Sequence, residues 1–327
     1  MPQPTAPLTI VVLDILPAAR AAQMRALLPP GFTLKHATEQ GEAHLLELVR
    51  EADFAITGQV IVSAKMLRQA TRLKLLHKWG VGVDTIDIAA AQDLGIGVAR
   101  TTGSNALPVA EFTIGLMLSA LRCMAYAHHQ LKQGKWHGPG KLPAPTMLLS
   151  GKTVGLIGLG AIGQNVARLV QGFGCRVLYT KPTRLSLEAE AALKVHHASL
   201  DELLAEADVV SLHCPLTPET AGLIDSRALE RMKRTAVLVN VARGGVLIEE
   251  DLVRALRQKT IMAAAMDVFS VEPLPSDSPL LGIDTLVLTP HLAAVTADTF
   301  EPTVKRMFEN IHRVSCGESV PERDHVA

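Results

Sequence analysis

Short aliphatic runs alternate with helix-like stretches along almost the whole chain, and this alternation restricts the fold more than any other feature. LTIVVL (8–13), DFAIT (53–57), LKLLHK (73–78) and GIGVA (95–99) form a first series, with helical patterns at 18–28, 42–51 and 63–70 between them. KTVGLIG (152–158), CRVLYT (175–180), DVVSLH (208–213), AVLVNV (236–241), MAAAMDVF (262–269) and LVLTP (286–290) form a second, with helices expected at 161–173, 199–207 and 249–258. Solid aliphatic runs of strand length belong to strands buried on both faces, as in a parallel sheet covered by helices. The predicted fold class is therefore α/β, with two parallel-sheet βαβ domains. At 48% hydrophobic but only 3% aromatic, the core must be built from Ala, Val, Leu and Ile. The length of 327 residues suits two domains better than one core.

Between the two series, Asn105 is placed to cap a long apolar helix with Pro108 in its first turn, running through AEFTIGLMLSALR toward Gly134. The stretch 134–150, with three prolines and three glycines, reads as a loop, and residues 296–315 read as a last helix. Lys plus Arg and Asp plus Glu balance at 32 each, which argues against a nucleic-acid partner. Cys123, Cys175, Cys214 and Cys316 show no paired spacing, so neither a disulfide framework nor a thiolate metal site is expected, and a reducing cytoplasm fits. The pairs His128–His129 and His196–His197 lack further ligands at metal spacing and read as surface histidines. No segment approaches ~20 apolar residues and no leader pattern opens the chain, so no membrane association is expected.

GLIGLGAIG closes a predicted strand and opens a predicted helix. Gly158, Gly160 and Gly163 thus supply GxGxxG in the context where it carries meaning. Such a turn lets backbone approach a dinucleotide pyrophosphate, while Ala161 and Ile162 begin a helix whose unpaired N–H groups face the phosphates.

The chain resembles the D-isomer-specific 2-hydroxyacid dehydrogenases. The resemblance is carried by GVGVDTID (80–87), NALPVAEFTIGLMLSALR (105–122), GKTVGLIGLGAIG (151–163), HCPLTPET (213–220), VNVARGGVLIEEDLVRAL (239–256), MDVFSVEP (266–273) and TPHLAAVT (289–296). It implies a Rossmann nucleotide domain, residues 105–294, inserted into a split flavodoxin-like substrate domain, residues 1–104 and 295–327. It also implies a homodimer formed through the 105–130 helix region and its loop. The implied reaction is NAD(P)H-dependent reduction of a small 2-oxo acid to the D-2-hydroxy acid, and its reverse. Corepressor-like dinucleotide sensors of the same fold, and dehydrogenases of phosphoglycerate or phosphite, remain as alternatives.

By the same resemblance His291 is the acid/base, Glu272 the carboxylate that orients it, and Arg243 the clamp for the substrate carboxylate and carbonyl. The turn Val81–Gly82 is expected to offer backbone N–H groups to that carboxylate. Trp79 either walls the pocket or only packs. Lys78 falls where a second anionic group would lie, although an exposed lysine of no special role is the plainer reading. Asp267 corresponds to a contact with the nicotinamide carboxamide, with a strand-end cap as its alternative. His213 and Pro215 belong to the adenine-side loop, Ala293 lies beside the nicotinamide, and Thr220, Val241 and Ala242 are further cofactor contacts. Where NAD-preferring members carry an Asp, 18 residues beyond Gly163, this chain carries Lys181. Thr180, Lys181 and Arg184 would attract a 2′-phosphate rather than repel it, so NADP(H) is the expected cofactor and NAD(H) the alternative.

Overall fold

A computed structural model describes residues 7–327; residues 1–6, which include the start of the segment read for a leader, lie outside the described residues. In chain order, the first series folds as β1 (Leu8–Ile15), α1 (Ala18–Ala26), β2 (Phe32–Ala37), α2 (Glu42–Glu51), β3 (Phe54–Thr57), α3 (Ala64–Gln69), β4 (Leu75–Lys78), α4 (Ile88–Asp93) and β5 (Gly97–Arg100). Then follow α5 (Ala106–Leu121), α6 (Met124–Lys132), β6 (Thr153–Ile157), α7 (Ala161–Gln171), β7 (Arg176–Thr180), α8 (Leu187–Leu193) and β8 (His196–His197). The second series continues through α9 (Leu200–Glu206), β9 (Val209–Leu212), α10 (Ser226–Arg231), β10 (Val237–Asn240), α11 (Glu249–Gln258), β11 (Ala263–Met266) and β12 (Leu286–Leu288), before α12 (Phe300–Ser315).

Packing divides the chain into two units, one running up to Asn105 and resuming at Val295–Ala327, the other continuous from Ala106 to Ala294. The first unit holds a parallel sheet in the order β2-β1-β3-β4-β5, the doubly wound order of flavodoxin-like folds. Its core joins Ile10, Phe54 and Leu75 of the sheet to Val304, Met307, Phe308 and Ile311 of α12. Beside β5 the chain end returns, with the Val98 N–H donating to the Ala327 carbonyl and the Val326 N–H to the Val98 carbonyl. The second unit holds a seven-stranded parallel sheet, β12-β11-β10-β9-β6-β7-β8. Both sheets are covered by helices, which is why the strands read as solid aliphatic runs.

Two differences from the sequence reading have plain causes. The FTLKHA run of β2 escaped notice because alternate side chains are exposed, as befits an edge strand. The single helix expected to reach Gly134 is two helices, bent by 69°. Cys123 breaks them by adopting φ +52. The 134–150 loop folds back to fix the break, with the Cys123 thiol on the Ala144 carbonyl and the Met147 N–H on the Leu121 carbonyl. Among the described residues no single helix is long and apolar enough to cross a membrane.

Candidate active site

In the second sheet β6 is flanked by β7 on one side and β9 on the other, so the loops leaving β6 and β9 diverge at the topological switch point where ligands of such sheets settle. Here the β6–α7 turn lies directly on the β9 loop. Gly158 has φ +96, and a Cβ on it would stand 2.6 Å from the His213 carbonyl carbon. A Cβ on Gly163 would stand 2.5 Å from the Gly158 oxygen, whereas one on Gly160 would meet nothing within 4 Å. The turn is thus closed on its inner sides and open at Gly160, the cradle a pyrophosphate needs. The first N–H of α7 to bond back is that of Gln164, to the Gly160 carbonyl. The N–H groups of Ala161, Ile162 and Gly163 therefore face out of the helix start, where the dipole favours an anion. The residues present fit a dinucleotide.

The loop after β9 is internally braced. The Thr220 hydroxyl donates to the Pro215 carbonyl (2.6 Å) and accepts from the Thr217 N–H (2.8 Å). His213 has one ring nitrogen 2.9 Å from the Ser211 hydroxyl, while its Nδ1 is buried without a partner. Burial pushes its pKa down to about 3, so it stands neutral in the fold.

Thr180 and Lys181 end β7 half-buried, with the Thr180 carbonyl accepting the Gly158 N–H at 2.9 Å. The Arg184 guanidinium is turned toward α8. Nε and Nη2 each donate to the Glu190 carboxylate at 2.8 Å, and Glu190 is 8% exposed. Nothing in the sequence had singled out Glu190. Its spacing of six residues past Arg184 crosses a helix start, so no simple periodicity pairs them.

The three expected catalytic residues all lie in the second unit. Gly244 brings two of their loops together: a Cβ there would overlap the Phe269 carbonyl carbon at 1.9 Å, so the backbone after Arg243 presses on the backbone before Glu272. Asn240, also missed in the sequence, is fully buried at the end of β10 and shapes the Arg243 turn. Its amide donates to the Arg243 carbonyl and its oxygen accepts from the Ala242 N–H, both at 3.0 Å. Val241 and Ala242 are buried, and Arg243 Nη1 donates to the Ala242 carbonyl at 2.8 Å.

Asp267, at the end of β11, is 1% exposed and acts as the strand-end cap. Its carboxylate accepts from the Thr289 hydroxyl (2.6 Å) and from the N–H groups of Leu292 (2.8 Å) and Ala293 (2.9 Å). Its own carbonyl accepts the His291 N–H at 2.8 Å. That grip holds His291 at φ +53, a left-handed conformation unusual for a non-glycine residue. The ring it presents meets Glu272, with Nδ1 2.6 Å from Oε2, while Glu272 Oε1 accepts the Phe269 N–H at 2.9 Å. Burial pushes the Glu272 carboxyl up. The hydrogen bonds from His291 and Phe269 and the charges of His291 and Arg243 outweigh it, leaving the group below its ordinary range. Glu272 is therefore ionised at neutral pH, which assigns a proton to Nδ1 of His291.

In the first unit the Val81–Gly82 turn follows Gly80, which has φ +138 and is held by Thr101 through its N–H to the Gly80 carbonyl (3.0 Å) and its hydroxyl accepting the Gly80 N–H (3.2 Å). The reading of Lys78 as an exposed lysine is corrected. The residue is 5% exposed, because β4 is an inner strand, and its ammonium donates to the Gly58 carbonyl and to the Thr85 hydroxyl at 2.9 Å. It bolts two loops together rather than standing in solvent. Trp79 packs on Phe300 with ring centroids 5.8 Å apart, and Arg20 lies over the other partner of that stack, 4.3 Å from the Phe300 centroid.

A profile of the family described as D-isomer specific 2-hydroxyacid dehydrogenase, NAD binding domain, matches residues 114–293. The chain is 39% identical over 282 residues to a glyoxylate reductase of Aeropyrum pernix, covering 85% of this chain and 84% of that one. It is also 39% identical over 283 residues to a D-3-phosphoglycerate dehydrogenase of Mycobacterium leprae, covering 86% of this chain and 53% of that one. Among solved structures, the TT0316 protein of Thermus thermophilus superposes with a TM-score of 0.86 at 34% identity, over 98% of this chain and 100% of that one. The chain belongs to the D-isomer-specific 2-hydroxyacid dehydrogenase family and is an NAD(P)H-dependent oxidoreductase that interconverts small 2-oxo acids and D-2-hydroxy acids.

Proposed function

We propose that His291, Glu272 and Arg243 carry this reaction and that the working cofactor is NADP(H). The observation that carries the catalytic assignment is the 2.6 Å contact between His291 Nδ1 and an ionised Glu272 beside the Arg243 turn. A nicotinamide dinucleotide, when held by the Gly158–Gly163 turn, the His213–Thr220 loop and the end of β7, supplies the hydride. The protein does the rest. In reduction, His291 delivers the proton on Nε2 to the carbonyl oxygen, and in oxidation Nε2 takes it back. Glu272 keeps Nδ1 protonated and balances the imidazolium charge. Arg243 offers its planar fork to the α-carboxylate. Val81 and Gly82, on the first unit, offer backbone N–H groups to a carboxylate. Asp267 serves mainly to hold the His291 turn.

Among acids, glyoxylate and hydroxypyruvate are the substrates proposed first. Lys78 is committed to Gly58 and Thr85, which disfavours a phosphorylated acid at that end. Lys181 at the end of β7, where a carboxylate would exclude a 2′-phosphate, supports NADP(H). Exposed apolar side chains on and after α5, namely Leu107, Leu131, Trp136 and Leu148, support a homodimer through this region. Four cysteines outside any disulfide suit a reducing cytoplasm. Steady-state kinetics with a panel of 2-oxo acids and both reduced cofactors tests the reading. A higher kcat/KM with NADPH, shifted toward NADH by Lys181→Asp, is expected; a clear NADH preference in the unaltered enzyme rejects the cofactor assignment.

A further inference from the structure

Two cations follow β7, Lys181 and Arg184, and the second is engaged by an enclosed carboxylate. Arg184 turns back onto α8, where its Nε and Nη2 form a two-point pair with both oxygens of Glu190. The Tyr179 hydroxyl, fully buried on β7, donates to the same carboxylate at 2.6 Å and accepts the Leu185 N–H at 3.0 Å. The His197 ring stands edge-on to Tyr179 at 5.3 Å and closes the cluster from β8. Every link of this clasp begins or ends within residues 179–185, so the clasp fixes the path of the loop that follows β7. Glu190 is almost wholly enclosed, while Arg184 remains about half exposed. The Arg184 hydrogen bonds, then the Tyr179 hydroxyl, hold the Glu190 carboxyl to about 2, so the pair is an ion pair at any working pH.

We infer that Glu190 is a specificity-determining positioning residue: it withdraws Arg184 from the dinucleotide, so that Lys181 alone recognises a 2′-phosphate. The inference deepens the NADP(H) reading and rests on it. In physical terms, a guanidinium bound at two points to an enclosed carboxylate has little net charge to offer. Lys181, set three residues earlier on the strand end, keeps its own. Cofactor preference is therefore set below its ceiling, and the carboxylate on α8 is what limits it.

The test is direct binding, followed by fluorescence titration with NADPH and NADH and with adenosine 2′,5′-bisphosphate and adenosine 5′-monophosphate as probes lacking the nicotinamide. Arg184→Gln should leave the 2′-phosphate preference within about threefold, whereas Lys181→Ala should lower it by about tenfold or more. Glu190→Gln keeps the side-chain shape and one acceptor oxygen but removes the charge and sets an NH2 donor where the second oxygen accepted from Arg184. It should raise the preference about threefold or more, and adding Arg184→Gln to it should cancel the gain. That cancellation is a result no merely structural role for Glu190 would give. If Arg184→Gln lowers the preference as far as Lys181→Ala does, Arg184 is itself the receptor and the inference is wrong. A folded Glu190→Gln protein with unchanged or lower preference overturns it as well. Should Glu190→Gln fail to fold, the Arg184→Gln result decides alone. Failure of the cofactor reading looks different: the unaltered protein favours NADH and Lys181→Ala changes nothing, while the Glu190→Gln gain and its cancellation still appear if the clasp acts as inferred.

Discussion

His291 combines a left-handed backbone with the side chain proposed as the acid/base, and both must be respected in testing it. Its left-handed φ is imposed by Asp267 through four hydrogen bonds around the turn. Asparagine tolerates that conformation better than most residues, so His291→Asn removes the acid/base with the least disturbance. A fall in kcat of about 10²–10⁴, with dinucleotide affinity unchanged, is expected from single-turnover and binding measurements. A kcat within tenfold of the unaltered enzyme would remove His291 from the chemistry. Glu272→Gln leaves a partner that neither fixes the Nδ1 proton nor balances the imidazolium. A loss in kcat of roughly 10–100-fold with little change in KM is expected; equal activity would show that the 2.6 Å contact is not used.

Between elements, the decisive contact is the pressing of the Arg243 turn on the loop that leads to Glu272. A methyl group on Gly244 would overlap the Phe269 backbone, so Gly244→Ala must push the two loops apart. Expected are a stability loss of about 1–3 kcal/mol in urea unfolding and a fall in kcat/KM of about 10²-fold, since displacement of about 1 Å suffices for that. A fully active Gly244→Ala enzyme would disprove the close approach. This level also separates what the sequence disclosed from what it hid. Buried strands and the GxGxxG turn were legible because their signals are local: a solid aliphatic run, or three glycines between strand and helix. The trio of Arg243, Glu272 and His291 was legible only through ordered motifs, since their contacts cross from one strand end to the next. Asn240, Thr101 and Glu190 were invisible, because each acts through hydrogen bonds whose partners no periodicity predicts. Lys78 was misread as exposed, and the pairing of Arg184 was hidden, for a related reason: sequence gives a charge its sign, while the fold decides which partners it meets.

For the whole molecule, two histidines buried in neutral form make stability depend on pH. Burial lowers His77 to about 4, and the Lys78 carbonyl that accepts from its ring only partly opposes this. An unfolded chain protonates such a ring near 6.5, so the stabilisation is fully present above that pH and is lost as pH falls from about 6.5 toward 4. His213 adds the same sign over a window reaching about 3. Urea unfolding at pH 5 should therefore show each histidine contributing about 2 kcal/mol less stability than at pH 7. His77→Gln, which can still accept from the Asn310 amide now 3.0 Å away, should flatten the slope; an unchanged slope would exonerate His77. The interrupted first unit also has a consequence in time. Its sheet is complete by Arg100, yet the face formed by Ile10, Phe54 and Leu75 is covered by α12, which begins 200 residues later at Phe300. At ~5–20 residues per second, a ribosome leaves that apolar face bare for roughly 10–40 s while the second unit is completed and free to fold. The nascent chain is thus a finished nucleotide-binding unit hanging beside an unfinished sheet, and a chaperone that shields apolar surface has its longest opportunity on the part synthesised first.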